Sequence, residues 1–199
     1  MPLEIADPPT QAREVVRARL SQLAHSNAFR TPGLRRASPD TLAMSTPHRV
    51  ALLPLERIRR GLSLRAAVQK KGWRFLIHGD DRIVAAVETT VRRGHRFSHL
   101  NEGPFVAGTE RAIRLAEASA PIKRGRFVPA LLAVPALHLT ALWLQDLEDT
   151  ADRLIAMAPT PPEFRAFRVV SDAQFVAALL KAAARTARAP GRRGADTVG

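Results

Sequence analysis

One stretch limits the architecture more than any other. From Phe127 to Leu144 the chain is apolar except for His138 and Thr140, with prolines at 129 and 135. A helix crossing a bilayer needs about 20 apolar residues without interruption. The longest uninterrupted run here, Phe127 to Leu137, is shorter and carries both prolines, each of which would break a helix interior. The stretch therefore reads as two strands, Arg126 to Val134 and Ala136 to Leu144. The second is so continuously apolar that both of its faces must be covered.

The rest of the chain offers the covering elements. Ser63 is placed to cap a short helix, Leu64 to Lys71, which Gly72 would end. Trp73 to His78 and Arg82 to Val91 read as strands joined by a Gly79-Asp80-Asp81 hairpin. Gly103-Pro104 opens a helix to about Ser119, with Phe105, Thr109, Ala112, Ile113 and Ala116 on one face. The loop Gln145 to Asp152 leads back into a strand, Arg153 to Ala158. Ser171-Asp172 caps a last helix to Arg188, with Phe175, Leu179, Ala182 and Ala183 inward. Hairpins alternating with helices predict an α+β fold: an antiparallel or mixed sheet with helices packed on it, which allows two related ββα halves.

Residues 1–48 read differently. Thr10 can cap a helix in which Val15, Val16, Leu20 and Leu23 recur at helical spacing, but Ser26 to His48 is rich in Pro, Ser, Thr and Arg without apolar periodicity. The expectation is an N-terminal helix and linker at 1–48, a compact domain at 49–188 and a basic flexible tail at 189–199. Translation beginning at Met44 would omit most of the extension.

Composition narrows the chemistry. The absence of cysteine removes disulfides, thiolate metal sites and thiol nucleophiles. The net charge is +13, from 31 Lys+Arg against 18 Asp+Glu. Of the 31 cations 27 are Arg, and with 34 Ala this choice follows GC-rich codons rather than function. The distribution is more informative: residues 30–74 hold 11 basic and 2 acidic side chains, whereas 140–172 hold 3 basic and 6 acidic. Arg57, Arg59, Arg60, Arg65, Lys70, Lys71 and Arg74 form a stripe suited to a polyanion, with Arg185, Arg188, Arg192 and Arg193 as a second contact.

Catalytic patterns are incomplete. Gly79-Asp80-Asp81 between apolar strands resembles the metal-binding turn of polymerase palm domains over those three residues, but Gly-Asp is also ordinary hairpin chemistry. His95, His99 and Glu102 have the spacing of a metal site on a helix or strand face, with solvent-facing histidines in a loop as the simpler reading. Gly103 to Thr109 lacks the Lys of a phosphate loop, and Ser98 and His99 are adjacent rather than part of a recognisable hydrolase triad. The acidic loop lacks the Gly and spacing of an EF-hand.

The residues thus point to a cytoplasmic, non-catalytic binding or assembly domain without a cofactor, acting on a protein partner or on its own copies through the basic stripe and the acidic loop. Sequence-nonspecific nucleic-acid association is the alternative, and a metal-dependent enzyme using His95, His99 and Glu102 or Asp80 and Asp81 is a third.

Overall fold

The two apolar strands lie in the middle of an eight-stranded mixed sheet with helices on both faces. The computed structural model describes residues 3–80, 82–102, 104–148 and 151–188. The strands are β1 (Ala43–Leu52), β2 (Gln69–Gly79), β3 (Arg82–Val91), β4 (His95–Asn101), β5 (Phe127–Val134), β6 (Leu139–Asp146), β7 (Arg153–Met157) and β8 (Val169–Ser171). Their order is β4-β3-β2-β1-β5-β6-β7-β8. Every neighbouring pair is antiparallel except β1 and β5, which run parallel from Arg49↔Ala130 to Leu52↔Ala133. Two four-stranded meanders therefore meet at one parallel seam. Each meander is followed by a helix, so the halves are arranged as ββββα rather than ββα units.

The described helices are α1 (Thr10–His25), α2 (Pro32–Arg36), α3 (Leu55–Arg59), α4 (Leu64–Ala67), α5 (Pro104–Ala118), α6 (Ala120–Lys123) and α7 (Asp172–Arg188). Strand alternation sorts them. Leu132, Ala141 and Leu154 share a buried cluster with Phe175, Leu179, Ala182 and Ala183 of α7, while Leu131, Leu142 and Ile155 share another with Ala112 and Ala116 of α5. Consecutive strand residues point to opposite faces, so α7 and α5 lie on opposite sides of the sheet. Both faces of β6 are buried, as its composition requires. At the head of α7, Ser171 Oγ accepts from the Gln174 amide while Gln174 Oε1 accepts from the Ser171 amide, a reciprocal cap.

Three expectations are corrected. Residues 26–48 are not a linker. Phe29 and Leu34 are buried with Val16 and Leu20 of α1 against Trp73, Phe75 and Ile77, and β1 begins at Ala43. The segment buries single residues at irregular spacing, so no period betrays it. The helix after Ser63 stops at Ala67, and Gly72 lies inside β2 rather than ending a helix. A Cβ at Gly72 would stand 1.8 Å from the Thr89 carbonyl oxygen, so only glycine fits where β3 passes this closely. His95–Asn101 is a strand, not a loop.

Candidate functional site

The register aligns four polar residues across the first meander: His48 opposite Arg74, Arg74 opposite Glu88, and Glu88 opposite His99. Directly opposed residues share a face, and this row lies on the α5 side, where Leu76 and Ala86 of the next row pack against Val106. Arg74 Nη1 stands 3.3 Å from Glu88 Oε1, with the two side chains 3% and 13% exposed. Burial pulls the Arg74 pKa down and the Glu88 charge opposes that shift. Glu88 also receives Asn101 Nδ2 at 3.4 Å and faces His99 Nε2 at 3.4 Å. Ser98 Oγ lies 2.8 Å from His99 Nδ1 at the outer end.

At the inner end His48 is fully buried, and desolvation lowers its pKa to about 4. Its Nδ1 bonds the Thr46 carbonyl at 2.8 Å, which opposes the shift, and the Arg74 charge adds to it. Thr46 occupies a bulge of β1 at φ 44, a conformation that costs a β-branched residue about 1–3 kcal/mol. The bulge turns the Thr46 carbonyl onto the imidazole, so His48 is a neutral ring fixed in orientation.

The Ser98, His99 and Glu88 contacts form a chain like that of a serine nucleophile with its base and orienting carboxylate. Glu88, however, is matched by Arg74, so its charge is already spent on a guanidinium rather than held for an imidazolium. The row is better suited to fixing β4 than to activating Ser98.

The expected metal ligands do not converge. A bulge between Phe97 and His99 shifts the β4 register by one residue, so His95 opposes Val91 while His99 opposes Glu88. His95 and His99 consequently point to opposite faces. Glu102, just past β4, has a backbone hydrogen bond at Leu34 on the α2 side, and burial raises its pKa. Asp80 sits in the hairpin at φ 51 and accepts from Thr41 Oγ1 at 3.2 Å. Asp81 lies outside the described residues. Among the described residues no group of three or more His, Asp or Glu side chains is placed to hold a metal.

Four residues of the basic stripe, Arg57, Arg59, Arg65 and Arg74, have partners inside the chain, though Arg59 and Arg65 stay exposed. Arg65 reaches Asp152 through Nε at 3.0 Å and through Nη2, and hydrogen bonding to that carboxylate raises its pKa. Arg59 pairs with Glu56 at 2.9 Å, Arg74 with Glu88, Arg185 with Glu163 at 2.6 Å, and Arg57 reaches the Ala67 carbonyl at 3.4 Å. The acidic loop is the other half of this arrangement. Asp152 also accepts from Trp143 Nε1 at 2.8 Å and the Asp146 amide at 2.9 Å, while Asp146 receives the amides of Glu148 and Ala151. Arg65 of the basic stripe and Asp152 of the acidic loop therefore meet within one chain. Arg60, Lys70 and Lys71 are exposed. Arg192 and Arg193 lie outside the described residues, as does the side chain of Arg188.

A different surface emerges at β4, the outer strand of the first meander. On its α1 side a cavity of about 440 Å³ is lined by Leu23, Ala28, Phe29, Phe97 and Leu100, with Arg19 and Arg30. The Arg19 guanidinium lies over the Phe97 ring at 5.3 Å. Gly72, Thr90 and Arg96 share a row, so Lys70 and Lys71 lie at the same end of the meander as Arg92, Arg93 and Arg96, and all five are exposed. Sequence reasoning missed this edge because the residues that build it come from α1, the 28–31 turn and β4, two of which it assigned to linker and loop. The alternation of Arg96, Phe97 and Ser98 was the available signal.

Compared with protein-family models, curated proteins and solved structures, the chain matches none.

Proposed function

We propose that this protein is a binding module whose partner is a protein segment docking along β4 as an extended, acidic strand. The observation that supports this is the coincidence of three properties at one edge: a strand with one strand neighbour among the described residues, an apolar groove beside Phe97 and Leu100, and exposed Arg92, Arg93 and Arg96 at the strand's entry, with Lys70 and Lys71 of β2 at the same end of the meander. The His95 amide at the start of β4 already donates to Gln11 Oε1 at 3.1 Å. Beyond it an edge strand supplies backbone groups for pairing, the groove accepts alternate apolar side chains, and the cations favour acidic residues between them. The row from His48 to His99 holds the edge strand in register.

The test is binding of a peptide alternating Glu with Val, followed by fluorescence anisotropy. Binding that is lost on methylating alternate peptide amides, and weakened by Arg92→Glu with Arg96→Glu, supports the reading. Equal binding of a peptide alternating Lys with Val would overturn it.

Nucleic-acid association draws on the same five cations and is the second reading. It requires affinity for a duplex that falls steeply with salt in a log–log plot. A chain that binds a second copy instead shows a concentration-dependent mass in light scattering.

A further inference from the structure

On the other meander a cavity of about 310 Å³ opens between β7, β8 and α7. Its floor is Ala156, Phe164, Val170, Phe175 and Ala178, with the Phe164 and Phe175 rings 5.1 Å apart and tilted at 59°. Its mouth carries Arg165 and Arg168, both exposed. The acid in its wall, Glu163, is held by Arg185 through Nε at 2.6 Å and Nη2 at 3.5 Å, which keeps its carboxyl below the usual range. That pairing cancels the wall's negative charge. The charge of Arg165 and Arg168 is therefore left uncompensated by any acid in the lining.

The loop that carries these arginines is anchored around them. The Phe164 carbonyl accepts from Thr160 Oγ1 at 3.2 Å, and the Phe167 amide donates to the Ala156 carbonyl at 2.8 Å. On the opposite side of the sheet the Arg111 guanidinium lies over the Phe167 ring at 4.1 Å. The backbone that carries Arg165 and Arg168 is thus pinned at Phe164 and Phe167. A cavity of this size, with an apolar, partly aromatic floor and Glu163, Arg165, Arg168 and Gln174 around it, is of the dimensions of a small-molecule site. Guanidinium groups match a carboxylate or sulfonate in charge and in their fork of donors.

From this cavity we infer that the protein binds a small amphipathic organic anion, with its hydrocarbon or aromatic body on Phe164 and Phe175 and its acid group between Arg165 and Arg168. This site is separate from the β4 edge and does not depend on the reading given for it. The full chain is titrated with anilinonaphthalene sulfonate under native conditions, and the bound dye is then competed with octanoate, octylamine or octanol. The expected result is saturable one-site fluorescence that octanoate displaces and octylamine does not. Arg165→Gln with Arg168→Gln weakens binding by at least about tenfold with an unchanged thermal midpoint, because both side chains are exposed. Ala178→Phe fills the cavity and abolishes binding. Displacement by octanol as effective as by octanoate, or undiminished dye binding in the double Arg variant, overturns the inference.

Discussion

Arg74 and Glu88 stand opposite each other on β2 and β3, 3.3 Å apart and withdrawn from water. Each charge makes the burial of the other tolerable. Removing one partner takes a buried counter-charge from the other, so Glu88→Gln lowers unfolding free energy by about 3 kcal/mol. Replacing both, as Arg74→Met with Glu88→Leu, recovers a large part of that loss. Urea denaturation of the native chain and the two variants measures both steps.

His48 makes stability depend on pH. Its pKa is about 4 in the folded chain against 6.5 for the free imidazole, so the unfolded chain binds the extra proton between these values. The contribution is complete above pH 6.5 and is lost as pH falls toward 4, amounting to about 3 kcal/mol. Unfolding free energy measured across that window rises with pH, and His48→Phe flattens the dependence. An unchanged slope in the variant would assign the effect to other groups.

Asp152 ties the β6–β7 turn to α4 through Arg65 and to β6 through Trp143. Asp152→Asn keeps the shape but removes the charge that faces the Arg65 guanidinium, at a cost of about 1–3 kcal/mol. Tryptophan emission should shift in the folded variant, since the indole N–H of Trp143 loses its anionic acceptor. A variant with native emission and native stability would show that the turn holds without the carboxylate.

Removing residues 1–43 strips the α1 and α2 layer from β2 and β3. Val16, Leu20, Phe29 and Leu34 are buried there, each at about 1.5–3 kcal/mol of burial. Their sum is comparable with the whole stability of a domain. The shortened chain is expected to aggregate or remain unfolded in circular dichroism. A cooperatively folding fragment that starts at Met44 would restore the reading of residues 1–43 as an appendage.

What was legible in the sequence follows from how each residue reports its surroundings. Most of the second meander was readable because β5, β6 and β7 are buried on both faces and its helix buries Phe175, Leu179, Ala182 and Ala183 at regular spacing, whereas the short, half-buried β8 gave no signal. Of the N-terminal layer α1 was legible from the spacing of Val16 and Leu20, but residues 26–48 were not, because Phe29 and Leu34 are isolated apolar residues in a polar setting. The His95, His99 and Glu102 grouping failed on a single inserted residue: the bulge near Ser98 reverses the parity on which the shared face depended. The charge runs were real, but linear counts cannot tell that Arg65 and Asp152 neutralise one another across the fold.

The parallel seam has a kinetic consequence. Within each meander a strand pairs with its immediate successor, so those ladders close short loops. The seam instead joins residues 49–52 to 130–133, across the whole of the first meander and α5. Loop-closure entropy makes it the most expensive ladder to nucleate, and α5 gains its full bed only once the seam has formed. The amide protons of β1 and β5 that bond across the seam are therefore expected to gain protection last in pulsed hydrogen exchange, after those that bond β2 and β6.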